Sequence, residues 1–198
     1  MFRELWEVIR RRYPTRGRRV LFVLASLIVV GLGAGALVVA GAAGLAWTNT
    51  ESFCVGCHEM RSTVYAEFKD TIHDKNRSGV RAICPDCHVP REPGAMILRK
   101  MRATFELWGH FTGVIDTPER FESHRALLAQ RVWRRMKQTD SLECRNCHKA
   151  EAMASELQSE KAQARHAKGR QEGLTCIDCH FGIAHKEPEG PGPRELKF

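Results

Sequence analysis

Residues 54–58 read CVGCH, and this pattern of two cysteines three positions apart, followed at once by histidine, occurs three more times. The other copies are CPDCH at 84–88, CRNCH at 144–148 and CIDCH at 176–180. Together they contain all 8 cysteines of the chain: Cys54, Cys57, Cys84, Cys87, Cys144, Cys147, Cys176 and Cys179. The pattern is typical of covalent haem attachment, because two thiols add to the haem vinyl groups beside a histidine that reaches the iron. The sequence therefore predicts four haem c groups, with four motif histidines at their irons: His58, His88, His148 and His180.

Zinc binding and disulfide bonding are the alternative uses of such cysteines. Paired cysteines do form structural zinc sites, but zinc does not require a histidine directly after every pair. An extracytoplasmic location would permit disulfides, yet four close and uniform pairs, each followed by histidine, are poorly explained by them. Haem attachment accounts for all four copies.

The remaining histidines are candidates for the second axial position, which electron-transfer haems usually fill with His or Met. They are His73, His110, His124, His166 and His185. The segment HDKNRSGVRAICPDCH at 73–88 resembles HAKGRQEGLTCIDCH at 166–180, which indicates a duplicated two-haem unit. His73 and His166 occupy equivalent positions in this repeat and are predicted as distal ligands. His185, close behind the fourth motif, is added to that set, whereas His124 and His110 stay outside it.

Residues 20–47, VLFVLASLIVVGLGAGALVVAGAAGLAW, contain no charge. About 20 such residues cross a bilayer, and the stretch is much longer than the apolar region of about 7–15 residues in a cleaved signal peptide. It is also apolar on every face, unlike an ordinary core helix. We therefore expect an uncleaved transmembrane anchor. Small residues such as Gly31 and Gly35 permit close helix packing, so the sequence leaves homo-oligomerisation through this helix open.

The flanks of the anchor predict its direction. Seven arginines precede it, and WTNTESF after it has no basic residue. The positive-inside rule then predicts that the basic segment 1–19 is cytoplasmic and that the haem domain 48–188, which follows the anchor 20–47, lies outside the cytoplasm. The Pro/Gly-rich composition of 189–198 predicts a flexible tail. The net charge of +8 comes largely from the arginine cluster. With no nucleic-acid motif present, we exclude nucleic-acid binding.

Helical periodicity dominates the region after the anchor. Segments 95–112, 118–138 and 150–168 have helical patterns or helix-rich composition. The predicted fold is mainly α: one N-terminal transmembrane helix, then a small haem-packed multihaem cytochrome c domain built from two dihaem repeats. The segment AMILRKMRATFELWGHF is basic and amphipathic with a Trp. It suits a helix on a membrane surface and equally a helix that covers haem.

Several strings carry a resemblance to a known family: CVGCHEM, NRSGV, CPDCHVP, SLECRNCH and TCIDCHFGIAH. With the single anchor and four motifs, they resemble the NapC/NirT/NrfH family of membrane-anchored tetrahaem cytochromes, and the NapC branch most. The resemblance implies a quinol dehydrogenase in the bacterial inner membrane, with its haem domain in the periplasm. It implies that menaquinol or ubiquinol supplies electrons for a periplasmic reductase, most often nitrate reductase, in anaerobic respiration.

The resemblance also implies roles for individual residues. Met60 matches a methionine that ligates the haem nearest the membrane in the nitrite-reductase branch, so we expect Met60 on the first iron with His58 displaced. A Met ligand raises a haem's potential relative to two histidines. Lys100 and Glu106 match best the lysine and acidic residue of the family's quinol site, with Arg99 as a rival to Lys100. Many relatives read CHVPHE after the second motif, but Arg91 stands here, which leaves His185, another histidine or a partner's side chain for the second haem.

Two other functions compete with quinol oxidation. The same fold can run in reverse and reduce quinone with electrons from a periplasmic oxidase. A haem catalyst acting on nitrite or hydroxylamine would need an open coordination position, against which the spare histidines and Met60 argue. The sequence thus favours a quinol-oxidising electron-transfer component over a hydrolase or transferase.

Overall fold

The computed structural model describes residues 2–196, and every regular element among them is helical. The fold prediction of a mainly α protein with an N-terminal apolar helix is confirmed. The chain divides into two compact units, residues 1–48 and 49–198.

The first unit consists of α1 (Phe2–Arg12) and α2 (Arg16–Trp47). Pro14 lies between them, and Thr15 begins α2 by accepting a hydrogen bond from the Arg18 backbone N–H. At 1.5 Å per residue, the 32 residues of α2 extend about 48 Å, more than the roughly 30 Å hydrocarbon core of a bilayer. Among the described helices α2 is the one long and apolar enough to cross a membrane, and none of its residues is buried.

The second unit is assembled from short helices around two long ones. The elements in chain order are α3 (Glu51–Cys54), α4 (His58–Ser62), α5 (Val64–Phe68), α6 (Cys84–His88), α7 (Pro93–Phe111), α8 (Pro118–Gln138), α9 (Leu142–Arg145) and α10 (Glu160–Gln171). Single 3₁₀ turns occupy Ala150–Ala152, Ser155–Leu157 and Cys176–Asp178. Helix α6 packs against α3 and α9, and α8 packs against α4 and the last 3₁₀ turn.

The connection between the two long helices is set by local chemistry. Gly113 has φ +68°, a left-handed conformation that ends α7. A residue with a Cβ would be strained at this φ, and its Cβ would lie 2.9 Å from the Asp116 carboxylate, so glycine is favoured there. Thr117 then begins α8 by accepting a hydrogen bond from the Arg120 backbone N–H, and Pro118 occupies the first helical position.

The peptide supplies a small apolar core of its own. The buried hydrophobic side chains of the described residues are Phe68, Phe121, Trp133, Met136 and Ile177. Phe181 packs edge-on against Trp133, with 5.6 Å between ring centres. A core this small suits a chain whose interior is completed by covalently attached haems.

The C-terminal segment, for which the sequence predicts a flexible tail at 189–198, contacts the rest of the haem unit. Pro193 is fully buried and its carbonyl accepts a hydrogen bond from Lys137 on α8. Leu196 packs against the core cluster. Residues 192–196 are therefore docked, because one buried proline and one leucine provide apolar contacts that composition alone did not predict. Lys197 and Phe198 lie outside the described residues.

Four paired histidine sites

The second, third and fourth Cys-x-x-Cys-His motifs each fold into about one helical turn, whereas in the first motif α3 ends at Cys54, Cys57 is extended and α4 begins at His58. Helix α6 spans the second motif, Cys84–His88. In the third and fourth motifs the histidine backbone N–H donates to the carbonyl of the first cysteine, at 2.8 Å in both. Residues i, i+3 and i+4 of a helical turn share one face. This explains why the spacing presents two thiols and an imidazole to the same haem.

The four motifs are adjacent in the order in which they occur along the chain. Helix α3, which ends at Cys54, packs against α6, which begins at Cys84, and this contact joins the first motif to the second. Arg91, just after the second motif, lies 3.9 Å from the Cys147 sulfur of the third. Ile177 of the fourth motif donates its backbone N–H to Ser141, the fully buried residue that precedes α9.

Every motif histidine faces one other histidine across a nearly constant distance. The ring centres are 6.1 Å apart for His58 and His110, 6.1 Å for His88 and His185, 6.2 Å for His148 and His73, and 6.0 Å for His180 and His166. A bond from imidazole nitrogen to a metal is about 2 Å long, as it is for zinc. Two imidazoles on opposite sides of one metal ion therefore have ring centres about 6 Å apart. All four pairs fit a six-coordinate haem iron with two histidine ligands.

Hydrogen bonds to the ring nitrogens orient three of the four partner histidines. The Nδ1 of His166 donates to the Gln158 side-chain oxygen at 2.8 Å, and that of His185 donates to the Val64 carbonyl at 3.1 Å. The Nδ1 of His110 lies 2.5 Å from the Glu59 carboxylate. Such bonds fix the tautomer and leave Nε2 for a metal. His73 has a buried Nδ1 with no hydrogen-bond partner in the described structure.

Burial keeps the second pair neutral. It lowers the pKa of His88 to about 3 and also lowers that of His185, where it outweighs the opposing charge of Glu67. Neutral imidazole is the form that binds a metal. These rings therefore need not lose a proton before they coordinate iron at neutral pH.

The predicted histidines His73, His166 and His185 each lie opposite a motif histidine. His185 faces His88. The sequence leaves the partner of His88 open, because Arg91 stands where many relatives have a histidine. His110 is the partner that sequence reasoning left out. The sequence did contain a signal for His110. Four irons require four partner histidines, and His110 is the only histidine on α7. His124 faces none of the motif histidines, and its Nδ1 donates to the Arg120 carbonyl at 2.8 Å.

Met60 lies two positions after His58 on α4, about 200° further around the helix axis. The side chain that faces His58 across the ring-to-ring distance of the other pairs is His110. The structure thus offers His110 as an alternative to the predicted Met60.

The residues predicted for the quinol site lie on α7. Arg99 and Glu106 form an ion pair with 3.0 Å between nitrogen and oxygen, so Glu106 pairs with Arg99 rather than with Lys100. Burial lowers the pKa of Lys100, and the nearby Cys54 opposes that shift. The apolar side chains of the same helix are exposed, up to 80% for Phe105 and 78% for Phe111.

Comparison with known proteins gives a consistent picture. Residues 17–190 match the model of the NapC/NirT cytochrome c family, N-terminal region. The chain is 51% identical over 181 residues to the denitrification system component NirT of Stutzerimonas stutzeri, which covers 91% of this chain and 88% of NirT. It is 47% identical over 190 residues to the cytochrome c-type protein NapC of Escherichia coli strain K12, covering 96% of this chain and 92% of NapC. A protein of Allochromatium vinosum described as a tetraheme cytochrome-c type is 44% identical over 170 residues, or 86% of this chain and 92% of that protein. No solved structure matches.

Proposed function

The chain belongs to the NapC/NirT cytochrome c family, and from that membership we propose that it oxidises quinol at the inner membrane and delivers the electrons to a periplasmic reductase. It is a membrane-anchored tetrahaem electron-transfer cytochrome with covalently bound haem c. The observation that supports the proposal most directly is the set of four histidine pairs at 6.0–6.2 Å.

The histidine pairs favour electron transfer over chemistry on a small molecule. A bound haem c supplies a one-electron carrier whose potential depends on its axial ligands, hydrogen bonding and burial. A pair of histidines would hold the iron from both sides and leave no position there for nitrite or hydroxylamine. The eight paired rings therefore serve to hold and tune four carriers, and they argue against the catalytic alternative.

The order of the motifs in space supports a linear path. The first motif contacts the second through α3 and α6, the second contacts the third near Arg91, and the third contacts the fourth through Ser141. Because the first motif follows the anchor in sequence, electrons from a membrane donor would enter there and leave at the fourth motif.

Helix α7 is the proposed site of quinol entry. Asn49, which begins the haem unit directly after the anchor sequence, lies 3.0 Å from the Met96 sulfur near the start of α7. Exposed Met101, Phe105 and Trp108 share the apolar face of that helix. A basic amphipathic helix with an exposed Trp suits the lipid headgroup region, where a quinol reaches it without passing through water.

The polar face of α7 supplies the groups that quinol oxidation needs. Oxidation of a quinol releases two electrons and two protons, and a haem held at the first motif would accept the electrons one at a time. We assign Lys100 and Arg99 to bind the ring oxygens and Glu106 to accept a proton. Glu106 is exposed and ion-paired to Arg99, so its carboxylate is open to solvent.

The recipient of the electrons is a periplasmic reductase, for which nitrate reductase is the first candidate because the sequence resembles the NapC branch most. Net electron flow toward that reductase is the forward direction. Reverse flow, which would reduce quinone, is measured by the same assay run from a reduced periplasmic donor.

Rapid mixing of the full-length holoprotein in lipid nanodiscs with menaquinol or ubiquinol tests the proposal. We expect haem reduction by quinol, slowed about 100-fold in Glu106→Gln and clearly slowed in Lys100→Leu and Arg99→Leu. Reduction by dithionite should not change. Glu156→Gln, an exposed carboxylate outside α7, is the matched control. Absence of quinol-driven reduction in the unmodified protein would overturn the function, whereas unchanged rates in all three variants would remove only the site assignment.

A further inference from the structure

The pair at the first motif differs from the other three in the group that holds its partner histidine. Glu59 directly follows His58 and is 3% exposed. One of its carboxylate oxygens lies 2.5 Å from His110 Nδ1, and the other is buried with no hydrogen-bond partner in the described structure. The corresponding acceptors at His166 and His185 are uncharged, a side-chain amide and a backbone carbonyl.

We propose that His110, held by Glu59, is the distal ligand of the first haem in place of Met60, and that Glu59 lowers the potential of that haem. The proposal rests on the function proposed above, because it presumes that haem is attached at Cys54 and Cys57. His58 then remains the ligand on the other side of the iron.

Hydrogen bonding accounts for the assignment of His110. With Nδ1 engaged by a carboxylate, the ring presents Nε2 as its free nitrogen. A carboxylate partner also makes the imidazole a more basic ligand. A buried negative charge has little water around it to weaken its field. Glu59 therefore stabilises the oxidised, more positive state of a nearby iron.

The position of His110 links the iron to the proposed quinol site. Arg99, Glu106 and His110 lie within about 40° of one another around the axis of α7. The exposed apolar side chains Met101, Phe105 and Trp108 lie on the opposite side of the helix. One rigid helix thus carries the ion pair on the same face as the iron ligand and keeps their separation fixed.

Spectroscopy of the holoprotein distinguishes the two candidate ligands. Low-temperature electron paramagnetic resonance and near-infrared magnetic circular dichroism should show four low-spin haems with two histidines each. His110→Met should convert one of the four to a His–Met signature, and His110→Leu should make one high-spin. Met60→Leu should leave all four unchanged. His124→Leu, at the unpaired histidine, is the matched control.

Redox titration tests the role of Glu59 as a positioning residue. Glu59→Gln keeps the size of the side chain but removes its charge, so all four haems should stay low-spin while the midpoint potential of one rises. A Glu59→Asp variant should move it less. Four unchanged potentials in Glu59→Gln would show that Glu59 does not tune the haem.

A His–Met signature in the unmodified protein, or a high-spin haem in Met60→Leu with none in His110→Leu, would overturn the ligand assignment. Such a protein would still bind four haems and accept electrons from quinol, so the proposed function would survive. Fewer than four attached haems, or no reduction by quinol, would count against the function itself.

Discussion

The two halves of the haem unit have similar sequences but use their histidines differently. His73 and His166 occupy equivalent positions in the repeat, before the second motif of each half. His166 faces His180 within its own half, whereas His73 faces His148, a motif histidine of the other half. The partner of His88 is His185, also from the other half. The two halves thus share a histidine at these positions, but the histidine that each one faces differs between them.

The crossed pairs make the halves depend on each other. Two of the four pairs join residues that the repeat would place in different halves, and His110 comes from the long helix between them. Only the pair of His166 and His180 is contained within one half. The haem unit is therefore a single structural unit, and a cut at the repeat boundary would remove a ligand from two irons.

Replacing two histidines at once gives the largest expected effect and tests most directly whether the two halves pair their histidines differently. The double variant His73→Leu, His148→Leu should contain one haem with abnormal ligation, because both residues serve the same iron. The double variant His73→Leu, His88→Leu should contain two. Electron paramagnetic resonance of the full-length holoprotein counts the affected haems.

The repeat by itself would predict the opposite result, with His73 serving the haem of His88 as His166 serves that of His180. One affected haem in His73→Leu, His88→Leu and two in His73→Leu, His148→Leu would show that the halves fold as independent copies. His166→Leu, His180→Leu is the control in which both interpretations predict one.

A second prediction concerns the ion pair that ties the halves together. Arg125 on α8 is 6% exposed and donates to Glu67 of α5, to Glu122 and to the Lys186 carbonyl next to His185. Arg125→Met leaves partly buried carboxylates without their cation and should lower the free energy of unfolding by about 3 kcal/mol. Urea unfolding of the holoprotein, followed by haem absorbance, measures the loss.

Arg120→Met is the control on the same helix, since Arg120 forms an exposed pair with Asp116 that should contribute less than about 1 kcal/mol.

The pH dependence of the stability loss in Arg125→Met is a second test of the same ion pair. Burial opposes ionisation of Glu67, but hydrogen bonds from Arg125 and the Lys186 backbone hold its pKa below the usual value. The pair stabilises the fold above about pH 4.3, so the penalty should shrink as the pH falls below that value. If Arg125→Met lowered the free energy of unfolding no more than Arg120→Met does, the contacts of Arg125 would be shown to contribute little to stability.

The smallest expected effect concerns the hydrogen bond at Nδ1 of His166, which has no counterpart at His73 in the described structure. Gln158→Ala removes the acceptor of His166 Nδ1, a bond with a net value of about 1 kcal/mol. We expect a small rise in the midpoint potential of one haem and no change in spin state. Gln171→Ala, exposed at the end of α10, is the control. A change as large as that of Glu59→Gln would contradict the distinction between charged and uncharged acceptors.

The family, the four haems and the anchor could be read from the sequence because each depends on local chemistry. The thiols and histidine of a motif lie within five residues, so their spacing alone indicates haem attachment. An uninterrupted apolar stretch at 20–47 predicts a spanning helix without knowledge of its neighbours. The predictions of family membership and fold class are confirmed.

Which histidines face each other was decided by the tertiary structure. His73 and His148, or His88 and His185, are far apart along the chain, and sequence spacing cannot specify a distance between residues brought together by packing. Met60 was favoured because it matches the methionine ligand of the nitrite-reductase branch, and His110 was left out because it lies near the end of an amphipathic helix. The sequence determined what each site binds, through contacts within one turn. The packing of α7 and α8 and the docking of the C-terminal segment determined the pairs, since they alone place distant side chains about 6 Å apart.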